Sequence, residues 1–261
     1  MPPIWSLPRI TRRAGKVWHR NLVVFFKTWK VNFFPPFIEA FLYLFAIGLG
    51  IGSYVGAING IPYIKFVAPA ILGISVMNSA FFECTYGSYV RMYYQKSFDA
   101  IIATPLSIED VIAGEMLWGA TRAVISVTIM LPVLAAFGVI SLPSSLLAIP
   151  LAFVAGLMFA GIAMCFTAIT PSIDTLNYPS FLFITPMMLF SGTFFPISLL
   201  PLAFQYIAVG ILPLTHVVAL MRMFTLAGFG WTLILYIAWI AVVTPVFCVI
   251  AINLMRRRLI I

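Results

Sequence analysis

The chain has 261 residues, is 63% hydrophobic and only 8% charged, and carries a formal net charge of +8. Soluble domains average about a quarter charged residues, so this is not one, and its apolar runs of roughly 20 residues are long enough to cross a hydrocarbon core. The runs are continuous rather than alternating, which excludes a β-barrel. The basic residues cluster at the two ends rather than in a stripe, which makes nucleic-acid binding the losing reading.

The first part is basic: Arg9, Arg12, Arg13, Lys16, Arg20, Lys27 and Lys30 all precede the first apolar run. No short apolar stretch with a small-residue cleavage site follows this head, so no cleavable signal is expected. Trp18, Leu22, Phe25, Phe26 and Trp29 recur at helical spacing among the cations. That pattern predicts an amphipathic helix in the headgroup layer, an anchor to membrane lipid. Residues 1–33 are read as this cytosolic or interfacial segment, and 34–261 as one membrane domain.

Six spans are expected, at about 37–55, 66–90, 111–138, 146–169, 178–195 and 231–254. Gly48, Gly52, Gly56 and Gly60 repeat every four residues at the first span, a spacing that lets helices approach closely; some of them can instead serve the outer loop. Three charges lie inside spans: Glu39 in the first, Glu83 in the second and Arg122 in the third. Charges at such depth are costly unless paired or wetted, so an Arg122–Glu83 pair is expected, with Glu39 as the alternative partner.

The loop at 93–115 interrupts this apolar sequence and carries Asp99, Glu109, Asp110 and Glu115, four of the seven acidic residues. It is expected to face water and a soluble partner. Within it, Phe98, Ile101 and Ile102 fall on one face of a short helix, with Gln95, Lys96 and Asp99 on others. Thr104-Pro105 ends that helix, because the residue before proline is pushed out of the α region. Ser107 is the expected N-cap of the next helix, with Glu109 and Asp110 in its positive first turn. An interfacial helix lying on lipid is the competing reading; a docking helix for a cytosolic subunit is favoured.

Residues 198–212 are apolar but too short for a span and are bracketed by Pro201 and Pro213. A seventh span here would put Arg256–Arg258 outside, against the bias that keeps Lys and Arg on the cytoplasmic side. A re-entrant hairpin is therefore expected, with both termini cytosolic. Phe194, Phe195 and Pro196 lead into it; His216 and Arg222 follow on the outer side, too sparse for catalysis. Cys84, Cys165 and Cys248 sit in separate apolar stretches and predict neither disulfide nor metal site. No phosphate-binding G-x-x-x-x-G-K-[ST] loop occurs, so any ATPase is a separate chain.

Several stretches together carry a family resemblance: Phe82-Glu83-Cys84-Thr85-Tyr86-Gly87-Ser88, Phe98-Asp99-Ala100-Ile101-Ile102-Ala103-Thr104-Pro105, Pro171-Ser172-Ile173-Asp174, and Phe190-Ser191-Gly192-Thr193-Phe194-Phe195-Pro196 through Pro213-Leu214-Thr215-His216. With them the chain resembles the permease subunits of type-2 ABC exporters, and within these the nodulation J group, similar to lipo-chitooligosaccharide export permeases. The resemblance implies an all-α homodimer of six-helix permeases in a bacterial inner membrane, bound to two ATPase subunits that hold the ATP and magnesium. It also implies that 95–104 is the coupling helix that enters the ATPase, and that 198–212 forms outer re-entrant helices. Two other classes remain as alternatives: a proton-coupled secondary transporter using Glu39 or Glu83, and a lipid-modifying membrane enzyme using His216 and Arg222.

Overall fold

The computed structural model describes residues 7–58 and 60–259 and is almost entirely helical. The elements run α1 (Ala14–Lys27), α2 (Trp29–Phe45), α3 (Gly52–Val55), a two-residue hairpin of β1 (Ala57–Ile58) and β2 (Ile61–Pro62), α4 (Tyr63–Phe82), α5 (Ser97–Ile102), α6 (Ile108–Ala136), α7 (Leu142–Ser145), α8 (Ala148–Ile169), α9 (Asn177–Pro179), α10 (Thr185–Phe190), α11 (Leu202–Gly210), α12 (Pro213–Thr225) and α13 (Thr232–Leu259). The hairpin is antiparallel, with Ala57 opposite Pro62 and Ile58 opposite Ile61.

Among the described residues, five helical stretches are long and apolar enough to cross a membrane: Trp29–Val55, Tyr63–Tyr94, Ile108–Ala136, Leu142–Ile169 and Thr232–Leu259. The fifth expected span and the expected hairpin behave differently. At 178–195 there is no continuous α-helix but a succession of short pieces: α9, a π-helical turn at Ser180–Ile184, and α10. Pro186 explains the break, since it cannot donate a hydrogen bond to the preceding turn and its ring crowds that turn's carbonyl. The expected hairpin at 198–212 is longer than its apolar run. Its second arm is α12, which reaches Thr225 and is bent by 83° from α11. Pro213 occupies the first position of α12, where its missing N–H costs nothing.

α4, α6 and α8 form the centre, with α13 against α8, α12 against α4, and α1 against α6. Most of α4 is buried, whereas α2 and α13 leave much of their apolar surface facing outward. Ser75 and Ser126 hydroxyls meet at 2.6 Å between α4 and α6, a polar link between apolar helices. Close approach comes from small residues in the central helices. A Cβ on Gly156 of α8 would sit 2.8 Å from Ala123 Cβ, and one on Gly114 of α6 would sit 2.6 Å from Val17 Cβ.

The glycine row of the first span does not form a continuous face. A π-helical turn at Ala46–Ile51 shifts the register between Gly48 and Gly52, and Gly56 lies past the helix end at φ +69°. Gly60 is in the hairpin turn at φ +79°. Gly48 faces Ile64 of the same chain. α1 also differs from the expected pattern. Its buried stripe is Ala14, Val17, Asn21 and Phe25, while Phe26 and Trp29 are exposed and Trp18 is half-buried. The span follows directly at Trp29, after the single joint at Thr28, rather than near residue 37.

Candidate functional site

The second span does not end as a plain α-helix. Two π-helical stretches, Glu83–Gly87 and Val90–Tyr94, extend α4 toward α5, and each contains one charged side chain, Glu83 or Arg91. A π turn inserts an extra residue and turns neighbouring side chains relative to the α-helical course, and such turns concentrate at functional sites. Here it brings Glu83 and Arg91 together, with Arg91 Nη1 2.8 Å from Glu83 Oε1.

Glu115 of α6 meets the same guanidinium. Its Oε2 accepts from Arg91 Nε at 2.8 Å and Nη2 at 2.6 Å, and from the Ser88 hydroxyl at 2.9 Å. Its Oε1 accepts from Asn21 Nδ2 at 2.9 Å and Arg20 Nη2 at 3.2 Å, both on α1. The Glu115 side chain is fully buried. Arg122 closes the cluster. Its Nε lies 3.5 Å from Glu83 Oε2, its Nη1 donates to Asn32 Oδ1 at 2.8 Å, and its guanidinium stands over the Phe25 ring. Trp118 Nε1 donates to Glu83 Oε1 at 3.0 Å. Three guanidiniums and two carboxylates leave the cluster with one net positive charge. Burial draws the Arg20 guanidinium below its ordinary value, and Glu115 opposes that shift.

The cluster lines a cavity of about 590 Å³ between α1, the π-helical end of α4 and α6. Arg20, Glu83, Arg91 and Arg122 reach it, with Asn32 on one side and Gln95 and Ser97 on the other. It therefore runs from the start of α2 to the start of α5. Glu39 is not part of this cluster. It shares a separate space of about 130 Å³ with Arg122 and Ser126, and makes no hydrogen bond or ion pair among the described residues.

The expectation that the acids of 93–115 face a soluble partner is overturned for three of the four. Ser107 and Asp110 form a capping box: the Ser107 hydroxyl accepts from Asp110 N at 3.1 Å, and Asp110 Oδ2 accepts from Ser107 N at 3.4 Å. Asp110 also accepts from Thr11 N at 2.6 Å and the Thr11 hydroxyl at 3.0 Å. Glu109 accepts from Arg9 N at 2.6 Å and pairs with Arg256 Nη1 at 2.9 Å. Arg13 donates to the Pro105 carbonyl. The segment before α1 and the end of α13 are thus fastened to the first turn of α6, and Glu109, Asp110 and Glu115 are all buried. Glu115, the last residue of the polar stretch, lies inside α6, and Gly114 beside it lets α1 close on α6.

α5 shows the anticipated stop before Pro105, with the Thr104 hydroxyl bonded to the Ile101 carbonyl at 2.6 Å. Lys96 enters it at φ +48°, a left-handed joint. Phe98 is fully buried, Ile101 and Ile102 are half-buried, and Gln95, Lys96, Asp99, Thr104 and Pro105 are exposed. The apolar face of α5 is spent on this chain itself, and its polar face is the one presented outward.

At the far end of α4, Tyr63 donates to the Phe194 carbonyl at 3.0 Å, and Phe195 and Pro196 are half-buried behind it. Pro201 caps α11. His216 is buried; its Nε2–H donates to the Val209 carbonyl at 2.9 Å and its ring stacks on Trp239 with centroids 4.0 Å apart. Arg222 donates to the carbonyls of Phe66 at 3.2 Å and Gly192 at 3.0 Å, over the Phe66 ring. Both hold α12 in place. Cys84, Cys165 and Cys248 are free thiols, and among the described residues no group of His, Cys, Asp or Glu could hold a metal.

The ABC-2 type transporter family pattern matches residues 15–226. The chain is 34% identical over 93% of its length to nodulation protein J of Sinorhizobium fredii, covering 92% of that protein. It is 35% identical to nodulation protein J of Rhizobium leguminosarum bv. viciae, over 93% of each chain. It is also 24% identical to the inner membrane transport permease YadH of Escherichia coli, over 71% of this chain and 72% of that one. No solved structure matches the chain. With that family pattern over most of its length and its bundle of apolar spans, the chain is a multi-pass membrane protein and a member of the ABC-2 type transporter family.

Proposed function

We propose that the chain is the permease of an ATP-driven exporter, acting as a homodimer bound to two copies of a separate ABC ATPase that holds ATP and magnesium. The observation that carries this is the match to nodulation protein J chains over nearly the whole length. The arrangement of α5 supports it: a short helix outside every span, anchored by Phe98 and showing a polar face. The basic ends support a cytosolic position for α1, α5 and the C-terminal arginines, at a bacterial inner membrane. The cargo is an amphipathic lipid-linked, glycolipid or saccharide-type molecule, and the permease makes and breaks no covalent bond.

In this reading ATP binding closes the partner subunits and pushes on the exposed face of α5. The push reaches the membrane through the π-helical end of α4, whose Arg91 is tied to α6 and, through Glu115, to α1. The test is purification in mild detergent of tagged wild type beside Ala103→Trp, which puts a bulky ring at an exposed position just past α5. The wild type is expected to bring an ABC ATPase in equal stoichiometry, and Ala103→Trp to lose it. No ATPase with the wild type, under conditions that preserve a known ABC complex, refutes the proposal.

A further inference from the structure

The charge cluster has acceptors that are used up and donors that are not. Glu83 and Glu115 each receive donors on both carboxylate oxygens. Arg122 engages Nε and Nη1, and Arg20 engages Nε and Nη2. Arg122 Nη2 and Arg20 Nη1 therefore have no acceptor among the described residues. Both arginines line the same cavity of about 590 Å³, with side chains 27% and 34% exposed. The cluster's one surplus positive charge thus faces an open space with N–H groups to spare.

The position of the opening narrows what can enter. Val24 and Thr28, both exposed, line the cavity at the joint between α1 and the first span. Lys27 and Lys30 flank that joint, exposed and without an acidic partner among the described residues. Phe26, Trp29 and Phe33 leave apolar rings uncovered beside them. Cations and aromatic rings together, where a helix enters the membrane, mark the layer of lipid headgroups.

We propose that this cavity holds the phosphodiester of one anionic membrane phospholipid, of the phosphatidylglycerol kind, whose acyl chains leave past Val24 into the bilayer. A phosphodiester carries one negative charge, which neutralises the cluster's surplus, and its oxygens match the free guanidinium N–H groups. Gln95 and Ser97, on the other side of the cavity, supply polar partners for the headgroup hydroxyls. A zwitterionic lipid would bring an ammonium against Arg20, Arg122 and Lys27, so the site selects a headgroup with no cation of its own. The site belongs to a single chain and needs no ATPase, so its failure leaves the permease reading untouched.

The test is native mass spectrometry of purified protein, freed of lipid in detergent and titrated with phosphatidylglycerol or phosphatidylcholine of the same acyl chains. One phosphatidylglycerol is expected per chain, bound about tenfold or more tighter than phosphatidylcholine, with the difference shrinking as salt is added. Arg122→Gln removes a free donor, and Val24→Trp obstructs the opening without touching the cluster. Each should weaken phosphatidylglycerol binding by about tenfold or more. Melting separates a lost site from a lost fold. In lipid-free detergent Val24→Trp should melt within about 1 °C of wild type, yet it should lose the rise in midpoint that phosphatidylglycerol gives the wild type. Equal binding of the two lipids overturns the proposal, as does phosphatidylglycerol binding that neither variant weakens. Inorganic phosphate that raises the wild-type midpoint as much as phosphatidylglycerol at the same concentration also overturns it, and assigns the cavity to a free anion.

Discussion

Replacing Glu115 by glutamine tests whether the buried cluster holds the basic end of the bundle together. Each carboxylate oxygen of Glu115 receives donors from a different side, Asn21 and Arg20 on Oε1, Arg91 and Ser88 on Oε2. A glutamine has one oxygen and one NH₂, so either orientation sets N–H groups against one of these donor pairs. Removing one partner of a buried ion pair costs about 3–5 kcal/mol. For a chain of this size that lowers the unfolding midpoint by roughly 6–20 °C, at about 2–4 °C per kcal/mol. Glu83→Gln should cost less, because Glu83 is partly exposed and Arg122 keeps its bond to Asn32. The double variant Glu115→Gln/Arg91→Gln should recover part of the loss, since Arg91 no longer faces a glutamine in place of its carboxylate and only the more exposed Arg20 has lost its counter-charge. The assay is tryptophan-fluorescence melting of purified protein in one detergent at one scan rate. A midpoint for Glu115→Gln within about 1 °C of wild type, where several kcal/mol are expected, would refute the reasoning. So would a larger drop for Glu83→Gln.

Reversing Glu83 and Arg122 together should not restore what either single reversal loses, because Glu83 lies closer to Arg91 than to Arg122 and a cation there would face Arg91; transport that returns in the double reversal would show Arg122 to be the dominant partner. Phe98→Asp should lower protein abundance and melting temperature rather than selectively release the ATPase, since it buries a carboxylate in place of a fully buried ring; normal abundance and melting would mean the ring is not needed for the fold. Gly114→Leu should detach α1 from α6, because even a Cβ there would meet Val17 Cβ at 2.6 Å and the Ala14 carbonyl at 2.7 Å; proteolysis within α1, slow in wild type, is expected to become at least several-fold faster, and unchanged cleavage would contradict it.

What was legible in the sequence is what local chemistry decides. Apolar run length located five of the six expected spans, Thr104-Pro105 marked the end of α5, and Ser107 with the acids after it marked the start of α6. The contact between Glu83 and Arg122 was also foreseeable, because charges at depth need partners. The rest depended on how helices meet. Amphipathicity showed that α5 has an apolar face but not that Phe98 turns into its own chain. The glycine period at Gly48, Gly52 and Gly56 assumed an unbroken α-helix, and the π turn at Ala46–Ile51 removes that premise. Nothing in the sequence singles out Arg91, and Glu115 stands at the end of the polar stretch 93–115. Two π turns and a glycine contact, none visible as a periodic signal, make them the centre of the cluster. A usable hint was present: Glu115 falls seven residues beyond the first residue of α6, two turns into an apolar helix.

The order of the cluster's members along the chain bears on how the protein is made. Arg20 and Asn21 precede the first span, and Ser88 and Arg91 end the second. Synthesis runs from the N-terminus, so every bonded partner of Glu115 has left the ribosome before the third span begins. A carboxylate entering the membrane alone would carry the full burden of dehydration. Here α6 can be inserted against helices already displaying its counter-charges, so the burial of Glu115 has no later segment to wait for.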